Sequence, residues 1–519
     1  MEIRSLGHSG FLAESADWLV IMDPWVSSSG AYDMAWFQYP RNHHMASWLQ
    51  DKVFNAKKPI YLYISHEHKD HYDPEFLRRL KKENIEVLIP KFRRKSLRDD
   101  LGNLGFEKIT EVTDGGTYSL QNGSIRIYVE DAELDRDSAI LVSSGKETFL
   151  NLNDCKIYDK LPEILREYGS IDVFTAQFSG ATWHPTCYQY TVERYREISR
   201  NKKHSKFKTL MRAIQILNPK IYIPSAGPAC FLDPDLFHLN FEEENIFPRS
   251  EVFKDYLTSE LRENCPRWIG LQPGDVLNIS SGAILEDRSV DRAQESSVRE
   301  YLAKYSNDYV NDFAAMKVEN EKVDLLRTLI DLQKELQAKL DLFPMRADLN
   351  LPFYFGLIDF SEKIVRVDFQ KGSVDLVETY LLNPPYYRVL AQPRQIRRLL
   401  DRKMNWEDFS LTFRVQIDRQ PDEYKTLLNA FVFVDSQDLP AFCAKWESMQ
   451  KNMARLKVDV GGKTYEIAHY CPHQNADLSA GWSEDDRYWV CPKHGWKFDL
   501  TNGGKCTLNA STLNAKCIK

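Results

Sequence analysis

The stretch Ile64-Ser65-His66-Glu67-His68-Lys69-Asp70-His71 constrains this chain more than any other. It follows an apolar run, Pro59-Ile60-Tyr61-Leu62-Tyr63, that reads as a buried strand. The imidazoles and the carboxylate therefore arrive where a strand gives way to a loop. His66 and His68, two apart on an extended backbone, are expected to point the same way. Asp70 and His71 fall where the chain turns, so they face the same point from another direction. This spacing can hold two metal ions side by side, and Asp70 and His71 are the candidate catalytic residues. The plain alternative is a solvated polar loop, against which the density of histidines weighs.

A chain of 519 residues is too long for one ordinary domain. Its apolar and aromatic content is ample for real cores, and nothing in it resembles a low-complexity segment. The formal charge of −7 argues against nucleic-acid binding driven by bulk electrostatics. Met1-Glu2-Ile3-Arg4-Ser5 lacks the parts of a signal peptide, and no apolar run is long enough to span a bilayer. A cytoplasmic location without membrane insertion is expected. Most of the nine cysteines are isolated and do not form a disulfide framework.

Residues 1–294 alternate strand-like and helix-like runs. Leu19-Val20-Ile21-Met22 ends at Asp23-Pro24-Trp25, and Pro74 to Lys82 reads as a helix opened by Asp73. Further strands are expected at Ile125 to Val129, Ala139 to Val142, Phe149 to Leu152 and Ile221 to Pro224. The pattern H-x-H-x-D-H resembles that of the metallo-β-lactamase superfamily. With this rhythm it implies an α/β fold, an αββα sandwich. Residues 295–452 read as a small α+β module, weakly similar to sterol-carrier domains. Its expected elements are a helix from Asn320 to Leu340, a hairpin around Gln370-Lys371-Gly372, a helix from Gln395 to Met404 and a strand from Leu411 to Val415. Residues 453–519 carry only short strands and glycine-bounded turns and read as an all-β domain.

That last segment contains Cys471-Pro472-His473 and Cys491-Pro492-Lys493-His494-Gly495-Trp496. The arrangement C-x-H, spacer, C-x-x-H resembles the Rieske [2Fe-2S] pattern, in which two thiolates hold one iron and two imidazoles the other. A structural zinc site is the alternative reading of Cys471, His473, Cys491 and His494. The His-Gly-Trp continuation and the β-rich surroundings favour the cluster. Neither loop has a further cysteine near its ligands, so a loop-bridging disulfide is not expected.

A Rieske centre passes single electrons, and zinc cannot accept one. If the two sites cooperate, the first is expected to hold a redox-active metal, non-haem iron as one or two ions, with zinc as the alternative. Further ligands are sought after strands: Glu133 (or Asp131 or Asp135), Asp154 and Asp233. The pairing of the two domains resembles the CMP-N-acetylneuraminate hydroxylase family. So do Asp23-Pro24-Trp25, Asn153-Asp154-Cys155, Phe178-Ser179-Gly180-Ala181, Gln272-Pro273-Gly274 and Arg419-Gln420-Pro421-Asp422. The domain order is changed, and Glu133 and Asp233 stand where that family's histidines are expected. His184 is either an extra ligand or a ring packed beside Trp183.

The implied activity is a Rieske-coupled iron oxygenase that hydroxylates or N-oxygenates a small organic substrate. Its co-reactant is dioxygen, and its electrons come from a ferredoxin, flavodoxin or cytochrome-type donor. Electron transfer within one chain or between the subunits of a homo-oligomer stays open. A metal-dependent hydrolase with a sensing or structural cluster is the first alternative, and an O2 or NO reductase the second.

Overall fold

The computed structural model describes residues 1–132, 134, 137–290 and 292–519. Its contacts define two compact units. The first is Met1–Ala181, Arg200–Tyr305 and Lys493–Gly495; the second is Thr182–Ser199, Ser306–Pro492 and Trp496–Lys519.

Two mixed sheets form the first unit, of eight and seven strands among the described residues. In the first sheet, Leu19–Met22, Ile60–Tyr63, Ile85–Pro90 and Ile109–Val112 pair in parallel. In the second, Thr148–Asn151, Val173–Gln177, Ile221–Ser225 and Arg267–Trp268 do the same. The sequence Leu19-Val20-Ile21-Met22 has no polar position because both faces of its sheet are covered. Leu19 and Ile21 join Met45, Leu49, Phe76 and Leu97 of the outer helices, while Val20 and Met22 join Ile125, Ile140, Phe149 and Val173 between the sheets. On the far side, Phe174 and Tyr222 pack under Phe207, Leu210, Phe253 and Leu257. The order is helices, sheet, sheet, helices: the metallo-β-lactamase-like α/β sandwich. The helix after the histidine loop spans Pro74–Arg79, and Asp73 caps it by accepting from the Phe76 N–H at 2.9 Å.

The second unit holds the middle module and most of the C-terminal segment. Its five-stranded sheet has the edge-to-edge order Ser373–Val377, Phe360–Asp368, Pro352–Leu357, Tyr386–Ala391, Val415–Gln420. Three expectations need correction, the first being the helix from Gln395 to Met404, which spans Pro393–Leu400 and ends at Asp401. The leucine-rich helix begins at Leu325, because Asp324 caps it, and a separate helix covers Val310–Glu321. The expected strand from Leu411 to Val415 starts at Val415; Trp406–Leu411 is helical, capped by Asn405, whose side chain accepts from the Asp408 N–H. The C-terminal segment is all-β, two small sheets around one core that includes Val458, Ile467, Trp489 and Phe498. Among the described residues, no helix is long and apolar enough to cross a membrane.

Candidate metal centre

Parallel strands deliver their C-terminal ends to one edge of the first unit, where loops can converge on a ligand. Asp23 follows Leu19–Met22, the histidine loop follows Ile60–Tyr63, and Asp154 comes shortly after Thr148–Asn151. The His68 carbonyl accepts from the N–H groups of His71 (2.9 Å) and Tyr72 (2.7 Å), closing the turn that swings Asp70 and His71 back. Several residues here hold positive φ without being glycine: His8 (53°), Asp23 (40°), Tyr32 (51°) and Asn153 (51°). Such strain persists only where the surroundings over-determine it, and it gathers at functional sites.

Two groups of donors meet at His71. In the first, single ligand atoms of His66, His71 and Asp154 lie within 4.8 Å of one another; in the second, those of His8, Asp70 and His71 do. His66 Nε2, His71 Nε2 and Asp154 Oδ1 are buried and make no hydrogen bond. His71 Nε2 and Asp154 Oδ1 stand 3.5 Å apart. Three buried polar atoms left without hydrogen bonds are costly in a protein interior, and a cation taking the place of the His71 proton would relieve them. The donor set therefore fits a metal ion.

The opposite edges of both rings are held. His71 Nδ1 is 2.9 Å from Asp23 Oδ2 and 3.1 Å from Ser9 Oγ. Asp23 is itself fixed by the N–H (2.8 Å) and hydroxyl (2.5 Å) of Ser65. His66 Nδ1 lies 2.9 Å from Ser65 Oγ and 3.3 Å from Asp137 Oδ1. Carboxylates behind imidazoles in this way fix the tautomer and turn Nε2 toward a metal.

The second group is differently satisfied. Asp70 Oδ2 faces His8 Nε2 at 3.1 Å, and Asp70 Oδ1 accepts from the Tyr32 hydroxyl at 2.5 Å. Electrostatics follow this layout. Burial alone would lower His71, but Asp70, Asp154 and Asp23 outweigh it and raise its pKa well above the usual value. Burial, with the charges of His71 and His68, keeps His66 well below its usual value. Burial would raise Asp70 and Asp154, yet His71 above all holds both well below the carboxylate range. Asp137 goes the other way, driven up by burial and by the charges of Asp154 and Glu130. The site thus keeps one proton on His71 among carboxylates, where a divalent ion would replace it.

The other expected ligands are distributed as follows. His68 packs against His66, with ring centroids 4.5 Å apart, but joins neither group. Asp233 is buried, accepts from the Asp235 N–H at 3.0 Å and joins neither group. Glu133 and Asp135 lie outside the described residues, and Asp131 is exposed. His184 belongs to the second unit, where its Nε2 is 3.1 Å from the Tyr190 hydroxyl and its ring packs edge-on against Tyr188.

Sequence reasoning missed His8, Tyr32, Asp137 and Lys206. The signal for His8 was a histidine between glycines, Gly7-His8-Ser9-Gly10, in a tight hairpin. Lys206 donates to Gln177 Oε1 at 2.8 Å; burial and the charge of Lys156 bring its amine down to about 7 against the pull of Asp154.

In the second unit, Cys471 and Cys491 are buried side by side. Burial, reinforced by Cys491, pushes the Cys471 thiol well up, and the N–H groups of His473 and Gln474 act against that. N–H groups directed at sulfur characterise iron–sulfur ligand loops. The His473 ring stacks on Trp496 with centroids 4.0 Å apart and planes 5° apart. His494, the remaining residue of the motif, belongs to the first unit's segment Lys493–Gly495. The sequence pattern of two thiols and two imidazoles is that of a Rieske cluster.

Comparisons with known proteins give the same two classes. Residues 2–158 match the β-lactamase superfamily domain, and residues 430–518 match the Rieske [2Fe-2S] domain. The chain is a metallo-β-lactamase-fold domain with a Rieske domain C-terminal to it. A protein of Mycobacterium tuberculosis H37Rv, named a Rieske 2Fe-2S iron–sulfur protein, is 27% identical over 99% of both chains. A similarly named protein of Mycolicibacterium smegmatis is 28% identical over 99% of this chain and 100% of its own. The ferredoxin subunit of Escherichia coli K12 3-phenylpropionate/cinnamic acid dioxygenase is 42% identical over 53 residues, 10% of this chain and 50% of that one. Among solved structures, CmlA, a diiron β-hydroxylase from Streptomyces venezuelae, has a TM-score of 0.36 and 18% identity, covering 55% of this chain and 54% of its own. Igni18, a metallo hydrolase from Ignicoccus hospitalis, has a TM-score of 0.35 and 16% identity, covering 55% and 99%.

Proposed function

We propose that this protein is a Rieske-coupled iron oxygenase that hydroxylates or N-oxygenates a small organic substrate. The observation that carries the reading is the presence in one chain of a one-electron cluster motif and a buried group of metal-ligating side chains whose donor atoms lack hydrogen bonds. A cluster that only passes electrons needs an acceptor, and zinc cannot be one. Iron bound by His66, His71 and Asp154 would supply that acceptor and the means to activate dioxygen. Asp70 and His8 are proposed to hold a second ion with His71. The resemblance of the C-terminal segment to a dioxygenase's ferredoxin subunit supports an electron-carrying role fed by an external donor.

The surrounding residues have defined tasks in this reading. Asp23 and Ser65 hold His71 so that its Nε2 faces the metal, and Ser65 and Asp137 do the same for His66. Tyr32 keeps a proton at its hydroxyl against Asp70, and Lys206 keeps one at its Nζ against Gln177. Both are protons available near a reducing site.

A hydrolase reading draws on the same His66, His71 and Asp154, which zinc also accepts. Cys471→Ser separates the two. The oxygenase loses reductant-dependent oxygen consumption in that variant while keeping metal at His66; a hydrolase would keep its activity without any reductant.

A further inference from the structure

Lys493 precedes His494 in the cluster motif, and both belong to the first unit. Its ammonium is buried against an equally buried carboxylate: Nζ is 3.0 Å from Glu130 Oε1, with the side chains 4% and 7% exposed. The same Nζ donates to the Asp131 carbonyl at 2.8 Å. The segment fits closely. The Ser205 hydroxyl donates to the His494 carbonyl at 3.3 Å, and Gly495, at φ 66°, has Ser205 Oγ where a Cβ would stand. A side chain there would be strained and would have to displace the Ser205 hydroxyl.

Glu130 lies just past strand Gly123–Val129, and its other groups bond to the backbone beside two residues of the metal centre. Glu130 Oε2 accepts from the Lys156 N–H at 2.7 Å, two residues beyond Asp154. The Glu130 N–H donates to the Asp137 carbonyl at 3.0 Å, and Asp137 Oδ1 lies 3.3 Å from His66 Nδ1. Glu130 is thus bonded to Lys493, to the loop that carries Asp154 and to the residue behind His66. A buried ion pair stabilises no better than an apolar pair of similar volume, and its best-attested use is to fix register.

We propose that Lys493 is a positioning residue for the metal centre: through Glu130 it sets Asp154 and Asp137, and with Asp137 the ring of His66, whenever the segment Lys493–Gly495 is seated. The proposal rests on reading His66, His71 and Asp154 as metal ligands. Coupling of this kind is reciprocal, so a metal bound at those donors also holds the segment in place.

Cobalt(II) added to the full chain, cluster loaded and the metal site cleared by chelation, is the probe. In the unmodified protein, cobalt is expected to slow amide exchange across Lys493–Gly495; unchanged exchange there would overturn the proposal. Lys493→Met acts through Glu130 and is expected to weaken cobalt binding by about tenfold, the low end of the range for groups bonded directly to metal ligands, and to shift the visible bands of the bound ion. The pair Glu130→Leu with Lys493→Met removes both charges and should recover thermal stability but not cobalt affinity. Recovery of affinity together with stability would reduce the pair to packing and overturn the proposal. If the unmodified chain binds no cobalt at all, the metal-centre reading itself falls; if it binds cobalt and the segment does not respond, only the role of Lys493 falls.

Discussion

The two donor groups share His71 but differ in what their lone pairs do without a metal. His66 Nε2, His71 Nε2 and Asp154 Oδ1 are buried and make no hydrogen bond, whereas Asp70 already receives Tyr32 on one oxygen and meets His8 on the other. The first group has no hydrogen bond for an ion to break, so only the His71 proton must leave. The second must give up satisfied contacts before it can bind. Loading is therefore expected in sequence, the His66–His71–Asp154 ion first and the His8–Asp70–His71 ion at higher concentration.

The largest break in this comparison is His71→Ala, which removes the donor common to both groups. It is expected to lower affinity at both positions by more than about 100-fold, since even residues behind the ligands cost 10–100-fold; isothermal titration with cobalt(II) measures it. Asp23→Asn keeps the shape but replaces the carboxylate behind His71, and about 10–100-fold loss is expected at both positions.

A pH series separates proton from metal at the same atom. The His71 pKa is raised in the metal-free protein, so binding must expel its proton. Affinity should fall roughly tenfold per pH unit below that raised value and level off above it. The same shift gives the metal-free chain stability that is present at acidic pH and lost as pH rises through the folded value; bound metal should remove that loss.

The smallest effect sharpens the contrast. Tyr32→Phe strips one hydrogen bond from Asp70 and should strengthen only the second ion, by roughly 3–10-fold on the scale of an ordinary net hydrogen bond. An equal gain at both positions would show that the two groups are not distinguished by their hydrogen bonding.

Much of the first unit was legible because its strands are buried on both faces and its loops carry the chemistry. Leu19 to Met22 and Ile60 to Tyr63 could be read from continuous apolar runs, and the metal loop from its histidines. The roles within the loop were less legible. Alternation along an extended chain puts His66 and His68 on a par, but the turn closed at the His68 carbonyl pairs His66 with His71 instead. His8 and Asp137 come from hairpins distant in sequence and reach the site only through sheet topology, which no local pattern encodes. In the second unit, Leu411 to Val415 has strand-like composition, yet the cap at Asn405 and the buried faces of Trp406 and Phe409 carry a helix through Leu411, and the strand starts only at Val415. Local propensity yields there to capping and packing.

Crystals of aerobically purified protein, measured by anomalous scattering on both sides of the iron and zinc edges, test the central claim most directly. Iron is expected at the point shared by His66, His71 and Asp154, in addition to the irons held by Cys471, His473, Cys491 and His494. Zinc at that point, with iron confined to the cluster, would contradict it.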